Sequence, residues 1–222
     1  MTLRRRLYLM RHGDVAYFEE GVPVAPASVT LTAEGAAQAE AARDALARTR
    51  LDLVLSSDLR RAVETAGIVA GREPERWPEL REWEGGKLRD LPEEQLESMF
   101  VGALRIESED DRFLGGESLR EVRARVAPAL ERLVERDWDA ALAVLHGGVN
   151  RLVLSYALTG GTPYLWNFEQ APGCINVLDL ADDHWIVRTV NYIPYDPLHP
   201  ARETTMEALW RQYRGGDDAS GP

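Results

Sequence analysis

Two apolar runs, each ending in histidine and glycine, constrain this chain more than any other feature. Leu7-Tyr8-Leu9-Met10 leads into Arg11-His12-Gly13, and Ala141-Leu142-Ala143-Val144-Leu145 leads into His146-Gly147-Gly148. Short continuous apolar runs of this kind read as buried strands. A residue that leaves such a strand lies at the carboxyl edge of the sheet, where open α/β folds hold their ligands. Behind the second run, Val149–Leu158 has helical apolar spacing, and glycines at a helix start let an anion approach the backbone N–H groups. Neutral imidazole, with a free pKa of about 6.5, is a competent nucleophile near neutral pH. The neighbouring Arg11 offers a planar fork suited to phosphate oxygens. Either construction alone is equally a tight turn with an incidental histidine. Two in one chain point to a histidine that attacks phosphorus.

The rest of the chain alternates strand and helix signals. Thr32 is a good N-cap for a helix with Ala36, Ala39, Ala42 and Leu46 inward. Leu51–Leu55 reads as a strand, and Ser56-Ser57-Asp58 as the cap of a helix over about 59–70. A long helix is expected over about 119–136, with Val122, Val126, Leu130 and Leu133 on one face. Strands are expected at Ile175–Leu180 and Trp185–Val190. This alternation predicts a three-layer α/β/α sandwich with a mainly parallel sheet. It forms one domain over 1–216, with a charged insertion at about 83–114, helical from about Pro92. A disordered tail is expected over 217–222.

Composition narrows the function classes. The 222 residues are 45% hydrophobic, enough for a substantial core, and the net charge is −11. General attraction to nucleic acid or to an anionic membrane is therefore excluded as an expectation. An anionic substrate must be held by a local arginine cluster. Cys174 is the sole cysteine, so no internal disulfide forms, and it reads as a small buried apolar residue. The apolar stretch behind Arg4-Arg5-Arg6 is too short for a signal peptide, and nothing approaches the roughly 20 apolar residues of a membrane span. The expectation is a soluble, cytoplasmic protein, with a homodimer left open. No pair of His, Asp or Glu has local metal-ligand spacing, so neither metal nor cofactor is expected.

Six elements in order resemble the histidine phosphatase superfamily, the phosphoglycerate mutase-like proteins. They are Leu9-Met10-Arg11-His12-Gly13, Leu31-Thr32-Ala33-Glu34-Gly35, Ser56-Ser57-Asp58-Leu59-Arg60-Arg61-Ala62, Leu80-Arg81-Glu82, Gly115-Gly116-Glu117-Ser118 and His146-Gly147-Gly148-Val149. The resemblance implies a metal-independent phosphomonoesterase acting on a small phosphorylated metabolite through a phosphohistidine. It implies His12 as nucleophile, Glu82 as general acid, and His146 as a second histidine that stabilises the transferring group. Arg11, Arg61 and the Gly147 amide become the phosphate ligands. Successive helical residues point about 100° apart, so Arg60 is expected outside the site.

Two departures from the family pattern stand out. Phe18 replaces an asparagine that helps to bind phosphate, and Gly86-Lys87-Leu88-Arg89-Asp90 blurs the usual sequence behind the acid. The run Glu82-Trp83-Glu84-Gly85-Gly86 lacks the arginine and tyrosine that mutases of the family carry there, which favours hydrolysis. A phosphoglycerate-type mutase is the alternative, and a phospho-ligand binder without turnover is a third reading. Within the insertion, Trp83, Arg89, Phe100, Arg105, Arg112 and Phe113 are candidates for substrate contact, with helix packing and solvated charge the simpler reading. His184 and His199 read as structural or surface residues.

Overall fold

A computed structural model describes residues 4–19, 22–86, 92, 96–97, 106–160, 163–182, 184–200 and 202–214. In chain order these form β1 (Arg5–Arg11), β2 (Phe18–Glu19), β3 (Val22–Pro23), α1 (Ala33–Ala45), β4 (Leu53–Ser56), α2 (Arg60–Ala70) and β5 (Glu75–Arg76). Then follow α3 (Leu119–Glu135), β6 (Ala140–Leu145), α4 (Gly147–Thr159), β7 (Ile175–Ala181), β8 (His184–Tyr192) and α5 (Thr205–Tyr213). Among the described residues, six strands make one mixed sheet in the order β5-β4-β6-β1-β7-β8, and β2 with β3 forms a small ribbon. Strands β5, β4, β6 and β1 run parallel, whereas β7 and β8 are antiparallel additions.

Side chains alternate between the sheet faces, so the apolar strands must be covered on both sides. Leu7, Leu9, Leu55, Ala141, Ala143 and Leu145 pack with Val122, Val126, Leu130 and Leu133 of α3 and with Leu152 and Val153 of α4. On the opposite face, Met10, Val54, Leu142 and Val144 meet Ala39 and Ala42 of α1 and Ala62, Ala66 and Val69 of α2. The small residues of α1 and α2 let those helices lie close to the sheet. Three layers result, as the alternation predicts. Each fully buried leucine contributes about 1.5–3 kcal/mol relative to exposure.

Helix starts follow the sequence at two places and depart from it at a third. Thr32 accepts from Gly35 N–H at 3.0 Å, and Ser118 forms a reciprocal capping box with Glu121. Asp58 does not cap α2. Its carboxylate is taken by Arg81 at 2.5 and 2.6 Å, and Ser57 Oγ accepts from Leu59 N–H instead.

The helical insertion needs correction over its described part. Residues 87–91, 93–95 and 98–105 lie outside the described residues, as does the tail at 217–222, and 96–97 is helical. From 106 to 112 the chain is turn and loop, followed by one 3₁₀ turn at Phe113–Gly115. The Asp111 carboxylate accepts from the Glu107 and Ser108 N–H groups at 2.8 and 2.9 Å. A short acidic side chain that satisfies nearby amides competes with helix, and here it wins. Helix α5 is not anticipated by the apolar pattern, although Thr204 and Glu207 form its capping box. Among the described residues no helix is long and apolar enough to cross a membrane.

Backbone packing fixes the loop behind β1. A Cβ on Gly13 would lie 2.3 Å from the Gly35 carbonyl oxygen, and one on Gly35 would lie 2.1 Å from the Asp14 carbonyl oxygen. Only glycine fits at either place. By contrast, Gly67 within α2 has no atom within 4 Å of the position a Cβ would take. Gly35→Ala should therefore destabilise the fold by about 3 kcal/mol, as overpacking against backbone does. Gly67→Ala should stabilise it by about 0.5–1 kcal/mol, the helix-propensity difference. Denaturant unfolding of both variants checks the pair.

Candidate active site

Parallel register brings the two histidines together. Arg11 of β1 pairs with Leu145 of β6, and His12 N–H donates to the Leu145 carbonyl at 3.0 Å. The next residues, His12 and His146, thus leave neighbouring strands at the same level. Their ring centroids are 5.2 Å apart, close to the strand spacing itself. In β4, Ser56 pairs with Val144, which brings Ser57 Oγ to 2.7 Å from His146 Nε2. Both rings are buried, at 1% and 0% exposure.

The hydrogen bonds of His12 settle which nitrogen carries its proton. Nδ1 lies 2.7 Å from the Gly13 carbonyl oxygen, which can only accept. Nδ1 is therefore the N–H, and Nε2 keeps a lone pair. Two donors face that lone pair: Arg61 Nε at 3.3 Å and the Tyr17 hydroxyl at 3.2 Å. Burial holds the His12 imidazole well below its ordinary pKa, with Arg61 and Arg11 adding to the shift. Burial does the same for His146, helped by Arg61, His12 and Arg11. Both rings are neutral at physiological pH.

Cations surround the pair. Arg61 is 3% exposed and also donates to the Pro26 carbonyl at 3.0 Å. Arg11 donates from one terminal nitrogen to the Gln170 carbonyl at 2.5 Å and to Thr205 Oγ1 at 3.1 Å. Arg11 Nε and His146 Nδ1 are buried and have no hydrogen-bond partner among the described residues. Buried polar atoms without partners are rare in folded proteins, and a ligand is one explanation for them. The Arg11 guanidinium lies beside Gly147, where a Cβ would stand 3.6 Å from its Cζ and Nε. Arg60, as expected, turns away and pairs with Glu64 at 2.7 Å.

Glu82 reaches the same helix start from another direction. Its carboxylate accepts from Gly148 N–H at 3.1 Å, Val149 N–H at 3.3 Å and Trp83 N–H at 2.8 Å. The first-turn amides of α4 at 148 and 149 are thus engaged by a protein carboxylate, next to Gly147. Arg125 fixes the segment that carries Glu82. It donates to the carbonyls of Glu79, Arg81 and Glu82 at 2.7–3.0 Å and forms a fork with Glu117. Trp83 is buried, donates to the Glu117 carbonyl at 2.7 Å, and packs against Phe113 and Tyr164. Trp83 belongs to the core, and half-buried Phe113 packs against it. Arg112 pairs with Glu121 and the Gly116 carbonyl, and Arg89, Phe100 and Arg105 lie outside the described residues.

Three residues near the site are absent from the sequence-based candidates. Tyr17 touches His12, but a lone tyrosine in a loop carries no sequence signal. Arg151, 6% exposed, has an Nη1 atom 3.4 Å from where a Gly147 Cβ would stand. An arginine on the inward face of an otherwise apolar helix is the signal that could have found it. Thr205 binds both Arg11 and Glu169. A cavity of about 290 Å³ runs from Arg11 and His12 along α5, with Thr205, Ala208 and Gln212 in its wall. His199 lies on that wall, whereas His184 sits on the edge strand β8. Cys174 is buried and its thiol is pushed up to about 12 by burial, as a structural residue would be. Among the described residues no group of three or more His, Cys, Asp or Glu side chains could hold a metal ion.

Comparison with known proteins gives this geometry a family. A profile of the histidine phosphatase superfamily (branch 1) matches residues 7–193. The chain belongs to that superfamily. It lies on its phosphatase side, and with this comes the enzyme class, phosphoric monoester hydrolase. It is 31% identical over 195 residues to the adenosylcobalamin/alpha-ribazole phosphatase of Salmonella typhimurium, covering 84% of this chain and 96% of the other. It is 33% identical over 158 residues to the glucosyl-3-phosphoglycerate phosphatase of Mycolicibacterium vanbaalenii, covering 65% and 70%. The crystal structure of the alpha-ribazole phosphatase from Shigella flexneri superimposes with a TM-score of 0.67 at 30% identity, covering 84% and 96%.

The neutral, buried imidazoles have a consequence for stability. In the unfolded chain a histidine titrates near 6.5, but in this fold both titrate well below that. Between the two values the unfolded state binds more protons, so stability rises with pH there and falls as pH drops below about 6.5. The paired carboxylates lose their contribution only near pH 4 and below. The thermal midpoint should decline between pH 7 and pH 5. In His146→Asn, with one titrating group removed, the decline should be shallower.

Proposed function

We propose that this protein hydrolyses a small phosphorylated metabolite through a phosphohistidine on His12. The observation that carries the reading is the state of His12: proton fixed on Nδ1 by the Gly13 carbonyl, lone pair on Nε2, and Arg61 facing that lone pair. A phosphate monoester dianion repels nucleophiles, so cationic donors must offset its charge as the transition state forms. Arg61 and Arg11 supply fixed charge. Ser57 can give its hydroxyl proton to His146 Nε2, which leaves the His146 proton on Nδ1, the buried nitrogen without a partner.

In the first step the Nε2 lone pair forms a bond to phosphorus and the phosphorus–oxygen ester bond breaks. The departing alkoxide takes a proton from protonated Glu82. In the second step Glu82 accepts a proton from water, the resulting oxygen attacks phosphorus, and the phosphorus–nitrogen bond breaks. Inorganic phosphate leaves and His12 and Glu82 return to their starting forms. Splitting hydrolysis this way replaces one difficult displacement with two easier ones. No step calls for a metal.

The named relatives act on alpha-ribazole phosphate and on a glucosylated phosphoglycerate, so small phosphate esters are the substrate class we infer. The burial of Trp83 supports hydrolysis over mutase chemistry, because the position behind the acid is spent on the core and offers no cation for a second anionic group.

The test is release of inorganic phosphate from p-nitrophenyl phosphate and from a panel of phosphorylated metabolites. His12→Ala should lose at least about a thousandfold in kcat. Arg61→Ala should lose about 10²–10³, the usual penalty for removing one charge-stabilising donor, whereas Arg60→Ala should stay within about twofold of the parent. Activity should persist in EDTA. Interconversion of 2- and 3-phosphoglycerate without net phosphate release would replace this reading with a mutase.

A further inference from the structure

We propose that Tyr17 is a phosphate-binding residue of this site, its hydroxyl passing from His12 Nε2 to a phosphoryl oxygen when a phosphate ester enters. The inference rests on the hydrolase reading above and deepens it. The Tyr17 hydroxyl is 3.2 Å from the nitrogen that must attack, and the Arg61 guanidinium carbon is 5.5 Å from the centre of the Tyr17 ring. Because Nδ1 holds the imidazole proton, the phenol is the donor in this contact and Nε2 the acceptor. An attacking nitrogen needs phosphorus about 3–3.5 Å away along its lone pair. A hydroxyl that already sits at that distance must yield the lone pair. The nearest acceptors it then meets are the phosphoryl oxygens that Arg61 also binds.

The hydroxyl is aimed by its backbone and not by chance. Tyr17 N–H donates to Gln212 Oε1 of α5 at 3.2 Å, and the Tyr17 carbonyl accepts from Val24 N–H at 2.8 Å. Next to it, Phe18 turns its ring against Tyr213, with centroids 5.4 Å apart, and offers no donor to the site. The polar group beside the nucleophile thus comes from position 17, pinned between the β2–β3 ribbon and the C-terminal helix. A hydrogen bond to a charged group is stronger than one to a neutral imidazole, so the transfer favours bound phosphate.

Tyr17→Phe removes the hydroxyl and keeps the ring. With p-nitrophenyl phosphate as substrate and inorganic phosphate as competitive inhibitor, the inhibition constant and KM should both rise about tenfold. The kcat should stay within about threefold. An unchanged or tighter inhibition constant would overturn the proposal, because a hydroxyl that merely covers His12 weakens phosphate binding when present. The shift in thermal midpoint on adding inorganic phosphate to each protein repeats the comparison without turnover. It should be smaller in Tyr17→Phe than in the parent, and an equal shift sinks the proposal. If the parent released no phosphate from any ester yet showed the larger shift, the hydrolase reading alone would fail.

Discussion

Parallel hydrogen bonding between β1 and β6 sets Arg11 opposite Leu145, and the chemistry depends on that register. Each strand residue advances about 3.3 Å and turns its side chain to the other face. A slip of one residue would bury the wrong face of β1, and a slip of two would carry His12 more than a ring's width from His146. The register is held because Leu7 and Leu9 belong to one core, with α3 and α4, while Met10 belongs to the other, with α1 and α2. Apolar packing on both faces therefore does more than stabilise the sheet. It places two imidazoles that are far apart in sequence at one level of the sheet edge.

With the rings in place, burial and charge act in the same direction on them. Removal from water disfavours an imidazolium, and Arg11 and Arg61 disfavour it further. The chain carries a net charge of −11, yet His12 sits in a local excess of guanidinium groups. Those guanidinium groups are expensive to bury, and carbonyl oxygens of Gln170, Pro26 and Phe168 offset part of that cost for Arg11, Arg61 and Arg151. The compensation is incomplete at Arg11 Nε and His146 Nδ1. Unpaired buried donors of this kind lower stability by about 1–3 kcal/mol each. The fold gives up stability to hold these two unpartnered groups beside His12 and Gly147.

Much of this was legible in the sequence because it depends on strand order and on residues that leave strand ends. The two apolar runs with their histidines, the Thr32 cap, the long helix that begins at Leu119, and the outward turn of Arg60 all follow from local pattern. What the pattern could not carry was long-range. Asp58 looks like a cap until Arg81, 23 residues on, takes its carboxylate. Residues 106–112 contain acids that would suit a helix, yet Asp111 turns the chain by binding amides of Glu107 and Ser108. Tyr17 and Thr205 reach the site through tertiary packing and through α5, whose one local signal is the Thr204–Glu207 capping box. Glu82 is intermediate: the motif points to it, but its seat on α4 comes from Arg125 and Glu117, which no spacing rule links to it.

The residues at the strand ends and the loop-borne residues around them are held by different parts of this chain. The superfamily profile stops at residue 193, just beyond the last strand, and α5 begins at Thr205. Yet α5 lies against the loop that follows His12: Gln212 holds the Tyr17 amide, and Thr205 binds the arginine that precedes His12. The cavity beside His12 takes one wall from that helix. Changes in α5 can reshape the cavity without disturbing the β1–β6 register or the proton on His12 Nδ1, because neither depends on it. The cavity wall thus comes from the part of the described chain least tied to the core, while the two imidazoles are placed by the part most tied to it.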